Sequence, residues 1–174
     1  EALHTFHPDG VVLRLLRTGQ TPERIVILSP SHRCRFDGIA VAGYQAYDVA
    51  GQVLPLDEDL RRDLVSRGWV QHHDAAHEDE HGIETQLPFI SRHFKGARVL
   101  PLVIGNTTPQ AVAAVIDQIM SQVQEKLLFV LYSDLSHFHD HDAAQKLDAQ
   151  TAGLIETGQF DGLGPTLACG HLAI

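Results

Sequence analysis

The apolar run Leu127-Leu128-Phe129-Val130-Leu131-Tyr132, followed at once by Ser133-Asp134-Leu135-Ser136-His137, constrains the fold more than any other stretch. A run with no polar alternation has no face to give to water, so it reads as a buried strand of the kind found in helix-covered parallel sheets. The residues just beyond such a strand stand at its carboxyl end, where open α/β sheets bind ligands. Ile25-Val26-Ile27-Leu28 repeats the arrangement and delivers Ser29-Pro30-Ser31-His32 to the same kind of position.

Two more runs complete a strand set at about residues 24–28, 38–43, 98–104 and 127–133. Helical signals fall between them. Asp57 caps a helix with Leu60, Leu64 and Val65 on its inner face, and Gly68 ends it. Thr108-Pro109 opens a second, with Val112, Val115, Ile116 and Ile119 on one face. Others are expected over 11–16, over 83–94 with a kink at Pro88, and over 143–156. Residues 44–56 carry the glycine punctuation of an irregular β excursion. The whole, residues 1–174, reads as a single α/β domain with a mostly parallel or mixed central sheet flanked by helices.

The net charge of −9, without basic runs, argues against nucleic acid and anionic membranes as partners, which leaves small molecules or peptides. No apolar run approaches the ~20 residues of a membrane-spanning helix. Two cysteines, Cys34 and Cys169, are too few for a disulfide framework, so a reducing cytoplasm is the expected compartment. Twelve histidines make metal binding or proton transfer a natural line of enquiry.

The densest chemistry lies in His77-Glu78-Asp79-Glu80-His81-Gly82-Ile83-Glu84. It contains the zinc-protease pattern His-Glu-x-x-His, but the interior positions are acidic and a glycine follows, which suits a solvated loop entering a helix. His77 is therefore expected to point to solvent. His32, the pair Asp134 and His137, and the stretch around His81 and Glu84 converge on one candidate site. Two or three imidazoles with one carboxylate or thiolate would make it an open divalent-metal site, where iron would favour oxygen chemistry and zinc hydrolysis, and the spacing alone does not choose. Alternatively, Asp134 and His137 form a carboxylate–imidazole acid–base pair. Local turn capping by His32 or Asp134 and simple burial of Cys169 are the bland alternatives.

Ile27–His32, Glu80–Glu84 with Leu87-Pro88-Phe89, Ser133–His137 and Cys169-Gly170 together, in that order, resemble the Memo-like family. The resemblance implies a fold similar to the extradiol-type non-haem iron dioxygenases. It further implies His32 and Cys169 as metal ligands, Asp134 and His137 as acid–base residues, and His81 and Glu84 as pocket lining. The family's remaining histidine ligand would fall on His7, in His7-Pro8-Asp9-Gly10. Iron or copper is then expected ahead of zinc, and both chain ends read as truncated relative to the family. The family has no single agreed chemistry: some members are regarded as metal-binding redox proteins and others as protein-binding modules with a vestigial pocket.

Overall fold

The computed structural model describes residues 21–174. His7 and the helix expected over 11–16 lie outside them. In chain order the elements are β1 (Arg24–Pro30), β2 (Ile39–Val41), β3 (Ala46–Val49), β4 (Gln52–Pro55), α1 (Glu58–Ser66), β5 (Gln71–His72), a 3-10 turn (Asp74–Ala76), α2 (His81–Glu84), α3 (Leu87–His93), β6 (Arg98–Ile104), α4 (Pro109–Gln122), β7 (Leu127–Leu131) and α5 (His141–Thr157).

Five strands form one sheet in the order β5-β2-β6-β1-β7, and β3 pairs with β4 in a separate hairpin. β6 and β7 run parallel to β1 on either side, whereas β2 runs antiparallel to β6. The sheet is therefore mixed, and the chain is a single α/β domain. Side chains alternate across each strand, so both faces of β1 and β6 need cover. Ile25, Ile27, Val99 and Val103 pack with Leu54 and Leu56 of the hairpin side and with Ile83, Leu87 and Ile90 of α2 and α3. Val26, Leu28, Leu100 and Leu102 pack on the other side against Leu60 and Leu64 of α1 and Val112, Val115 and Ile119 of α4. Continuous apolar runs thus follow from burial on two faces.

The helix signals work as their chemistry requires. The Asp57 carboxylate accepts the Leu60 N–H, and Thr108 Oγ1 accepts that of Ala111. Gly68, just past α1, adopts φ +74°, a left-handed conformation that glycine reaches at little cost. No helix among the described residues is long and apolar enough to cross a membrane.

Three expectations need correction. β7, read as the clearest buried strand, is an edge of the sheet among the described residues; its side chains are half-buried and Leu131 is exposed. A continuous apolar run does not distinguish a central strand from an edge whose two faces are both partly covered. The helix expected over 83–94 is two helices, broken at Thr85-Gln86, with Pro88 in the first turn of α3, where its missing N–H costs nothing.

The third correction is His77, which is 7% exposed instead of pointing to solvent. The turn that follows it places Asp79 at φ +57°, so His77 and His81 do not share a helix and the zinc-protease geometry is not formed. Among the described residues neither ring nitrogen of His77 meets a partner in good hydrogen-bond geometry, the Ala40 backbone being only a near neighbour. Burial, opposed by the Ala40 backbone, Asp74 and Glu80, lowers its pKa from 6.5 to about 4. An unfolded His77 takes up its proton near 6.5 and the folded one near 4, so between those values the unfolded chain binds more protons. Stability should therefore fall as pH drops through that window, by on the order of 3 kcal/mol at most. His77→Phe should flatten the fall in urea midpoint between pH 7 and 4; an unchanged pH slope would contradict this account.

Candidate metal centre

β1 and β7 are neighbours in register, and Tyr132 N–H donates to the Leu28 carbonyl, so the segments leaving the two strands are held side by side. One carries Ser29 and His32, the other Tyr132, Ser133 and Asp134. The start of α2 closes the site from a third direction. A Cβ at residue 82 would run into the Ser29 hydroxyl and lie 2.7 Å from Tyr132 Cδ1, so only glycine permits this approach. As a result, the His32 and His81 rings lie against each other with centroids 4.2 Å apart and planes inclined by 44°, and each meets the Tyr132 ring edge-on.

Asp134 is the focus of three imidazoles. Its Oδ2 lies 3.4 Å from His137 Nε2, 3.6 Å from His81 Nε2 and 3.8 Å from His32 Nε2. Its other oxygen, Oδ1, accepts the Tyr132 hydroxyl at 2.7 Å. Partial burial works against the Asp134 charge, but the Tyr132 hydroxyl and the His137 and His81 rings outweigh it and hold the carboxyl below its usual range. Burial, together with the adjacent Asp134 carboxylate, pushes the Tyr132 phenol well up, so it acts as a donor.

Glu80 lies behind the imidazoles. It is 2% exposed and accepts the His32 backbone N–H at 2.8 Å and the Gly82 N–H at 3.1 Å; its Oε1 lies 2.7 Å from His32 Nδ1. Burial opposes its charge, yet these donors prevail and its pKa is lowered. With Nδ1 engaged, His32 Nε2 is left buried and, among the described residues, without a hydrogen-bond partner.

Among the described residues, His32, His81 and Asp134 are the group whose ligand atoms lie within 4.8 Å of one another and could close on one ion. Cys169 is adjacent but outside that group. Its Sγ accepts the Asp134 N–H at 3.0 Å and sits 3.9 Å from Ser133 Oγ. Burial, with Asp134 nearby, pushes its thiol pKa up. Both cysteines are free. His137 is at the exposed rim. Glu84 is exposed on α2 and makes no ion pair to the cluster among the described residues.

The Memo-like protein family model matches residues 9–167, which takes in every one of these described site residues up to the turn before Cys169. The chain belongs to the Memo-like family. A MEMO1 family protein of Aquifex aeolicus is 30% identical over 132 residues, covering 74% of this chain and 49% of the relative. One from Methanobrevibacter smithii is 30% identical over 131 residues, covering 73% and 46%. One from Methanopyrus kandleri is 27% identical over 186 residues, covering 96% and 63%. The chain thus spans about half the length of the first two relatives and less than two thirds of the third.

For this Memo-like chain, two site residues were not legible as such in the sequence. In the sequence Glu80 reads as part of a solvated acidic run; its signal is its place immediately before the short helix, where a carboxylate can cap N–H groups. Tyr132 reads as the end of an apolar strand; its signal is the two-residue spacing to Asp134, which puts both on one side of an extended chain.

Proposed function

We propose that this Memo-like chain contributes a divalent transition-metal site, of iron or copper ahead of zinc, to a metal-dependent oxidoreductase. The observation that carries the reading is His32 Nε2: buried, without a hydrogen-bond partner among the described residues and facing His81 and Asp134, with Nδ1 already engaged by a carboxylate. Two imidazoles and one carboxylate are a donor set that suits non-haem iron with positions left open for substrate. An iron or copper ion bound there would supply one-electron redox chemistry.

The remaining work falls to the chain's own groups. Tyr132 fixes Asp134 through Oδ1, which leaves Oδ2 turned toward the three rings. His137, at the solvent-facing rim, can hold a proton at Nε2 against Asp134 Oδ2 and pass it to or from a bound molecule. Cys169 enters the ligand set through the family resemblance, as does His7; the geometry favours Asp134, because the Cys169 sulfur already receives the Asp134 N–H and its thiol is driven toward the neutral form.

A second reading, a peptide-binding module, draws support from Phe138. This residue is fully exposed beside His137 and sits at φ +60°, a conformation uncommon for a bulky side chain. One set of measurements separates the readings: iron and copper affinity under anaerobic, reducing conditions for the wild type, His32→Ala, His81→Ala and Cys169→Ser. His32→Ala and His81→Ala should lose more than the ~10–100-fold that removal of an outer-shell partner costs, with Cys169→Ser much less affected. Equal affinities in all four would remove these residues from the site, and no binding in any of them would favour the peptide reading.

A further inference from the structure

We infer that Glu80 is the positioning residue of this centre, a single buried carboxylate that backs both imidazoles and fixes His32, with His81 beside it, as an Nε2 donor. The inference rests on the metal reading for its consequence, not for its geometry. Glu80 Oε1 lies 2.7 Å from His32 Nδ1 and 3.7 Å from His81 Nδ1, while both Nε2 atoms face the opposite way, toward Asp134 Oδ2. Two adjacent, mutually tilted rings thus lie between a carboxylate behind and a carboxylate in front.

An ionised carboxylate can only accept hydrogen bonds. The His32 nitrogen at 2.7 Å from it must therefore carry the proton, which places the lone pair on Nε2, the atom without a hydrogen-bond partner among the described residues. His32 cannot swing away, because its backbone N–H donates to Glu80 Oε2 and its ring meets Oε1 of the same carboxylate. The Gly82 N–H, at 3.1 Å, supplies a further donor to Oε1, and the Ser29 hydroxyl, 3.4 Å from Oε1, shares its one proton between that oxygen and the Pro30 carbonyl at 3.2 Å. A carboxylate that only capped the short helix α2 would need the Gly82 N–H alone. The bond to the imidazole is the additional feature, and it is the arrangement in which an outer carboxylate sets the tautomer and raises the basicity of a ligating histidine.

Glutamine cannot substitute for this. Its amide accepts at one atom and donates at the other, so it would set an NH2 group against either the His32 backbone N–H or the N–H donors on Oε1. In Glu80→Gln the His32 ring should be released to exchange tautomers. The test is the pattern of long-range 15N–1H correlations from the imidazoles of the metal-free protein at pH 8, for wild type and Glu80→Gln, with Zn2+ affinity measured on the same samples by chelator competition.

The expected wild-type result is His32 protonated at Nδ1 with an unprotonated Nε2. Glu80→Gln should lose that preference and bind Zn2+ roughly 10–100-fold more weakly. If Glu80→Gln does not fold, the wild-type spectrum still decides the tautomer, and Ser29→Ala, which removes one long bond to Oε1, should weaken it partially. His32 protonated at Nε2 in the wild type, or an unchanged tautomer in a folded Glu80→Gln, overturns the inference. A wild type that shows the Nδ1–H tautomer but takes up no Zn2+ upholds Glu80's part and counts against the metal reading instead.

Discussion

Asp57→Ala is expected to destabilise the domain by about 3–5 kcal/mol, the usual cost of stranding a buried charge. Arg24 and Arg98 open the parallel strands β1 and β6 and are partners in register, so two cations meet at the amino end of the sheet. Asp57, 1% exposed, answers them: both of its oxygens bind Arg24 Nη1, at 2.8 and 3.1 Å, and Arg98 Nη1 lies 3.6 Å from Oδ1. The same carboxylate caps α1. Alanine removes the counter-charge and the cap together. Glu125, 2.9 Å from Arg24 Nη2, cannot replace it, because Glu125 sits at a third of its full exposure, in contact with water. Urea unfolding is the measurement; a midpoint shift equivalent to less than 1 kcal/mol would show that the pair contributes little here. The site lies at the opposite end of the strands, so its tautomer and metal properties should be unaffected at temperatures where the variant remains folded.

Gly170→Ala should strike the other end of the sheet, at a cost of about 3 kcal/mol, the upper part of the range for an overpacked position. A Cβ there would collide with the Tyr132 carbonyl and lie 2.8 Å from Ser133 Cβ. Tyr132 cannot retreat without losing its N–H bond to the Leu28 carbonyl, which extends the β1–β7 ladder. The segment around Cys169 must move instead, breaking the Gly170 N–H to Ser133 Oγ and the Asp134 N–H to Cys169 Sγ. Because Asp134 is anchored through that backbone N–H, the variant should also lose metal affinity. Wild-type stability together with wild-type metal affinity would mean that the close approach of the Cys169 segment is not needed.

These effects bear on how much of the molecule its sequence discloses. Strand positions were legible because burial on both faces leaves a run such as Ile25–Leu28 no polar alternation, and helix limits were legible where a cap such as Asp57 or Thr108 has a definite hydrogen-bond partner. Strand-end residues His32, Asp134 and His137 were legible for a topological reason: parallel neighbours deliver their following residues to one edge. What was not legible depends on contacts between segments far apart in sequence. Glu80 and His77 look alike in a polar stretch, and only packing of α2 onto Ser29 and Tyr132 buries the one beneath two imidazoles, while the other is buried near Tyr44. Edge placement of β7 is likewise a property of the sheet and not of the strand.

A metal held by His32, His81 and Asp134 is the central expectation for this site. The direct measurement is an anomalous-difference map from crystals grown anaerobically with Fe2+ under reducing conditions. The predicted result is a single strong peak within bonding distance of His32 Nε2, shared with His81 Nε2 and Asp134. A map with no peak there, or with the iron held by Cys169 away from His81 and Asp134, would contradict it.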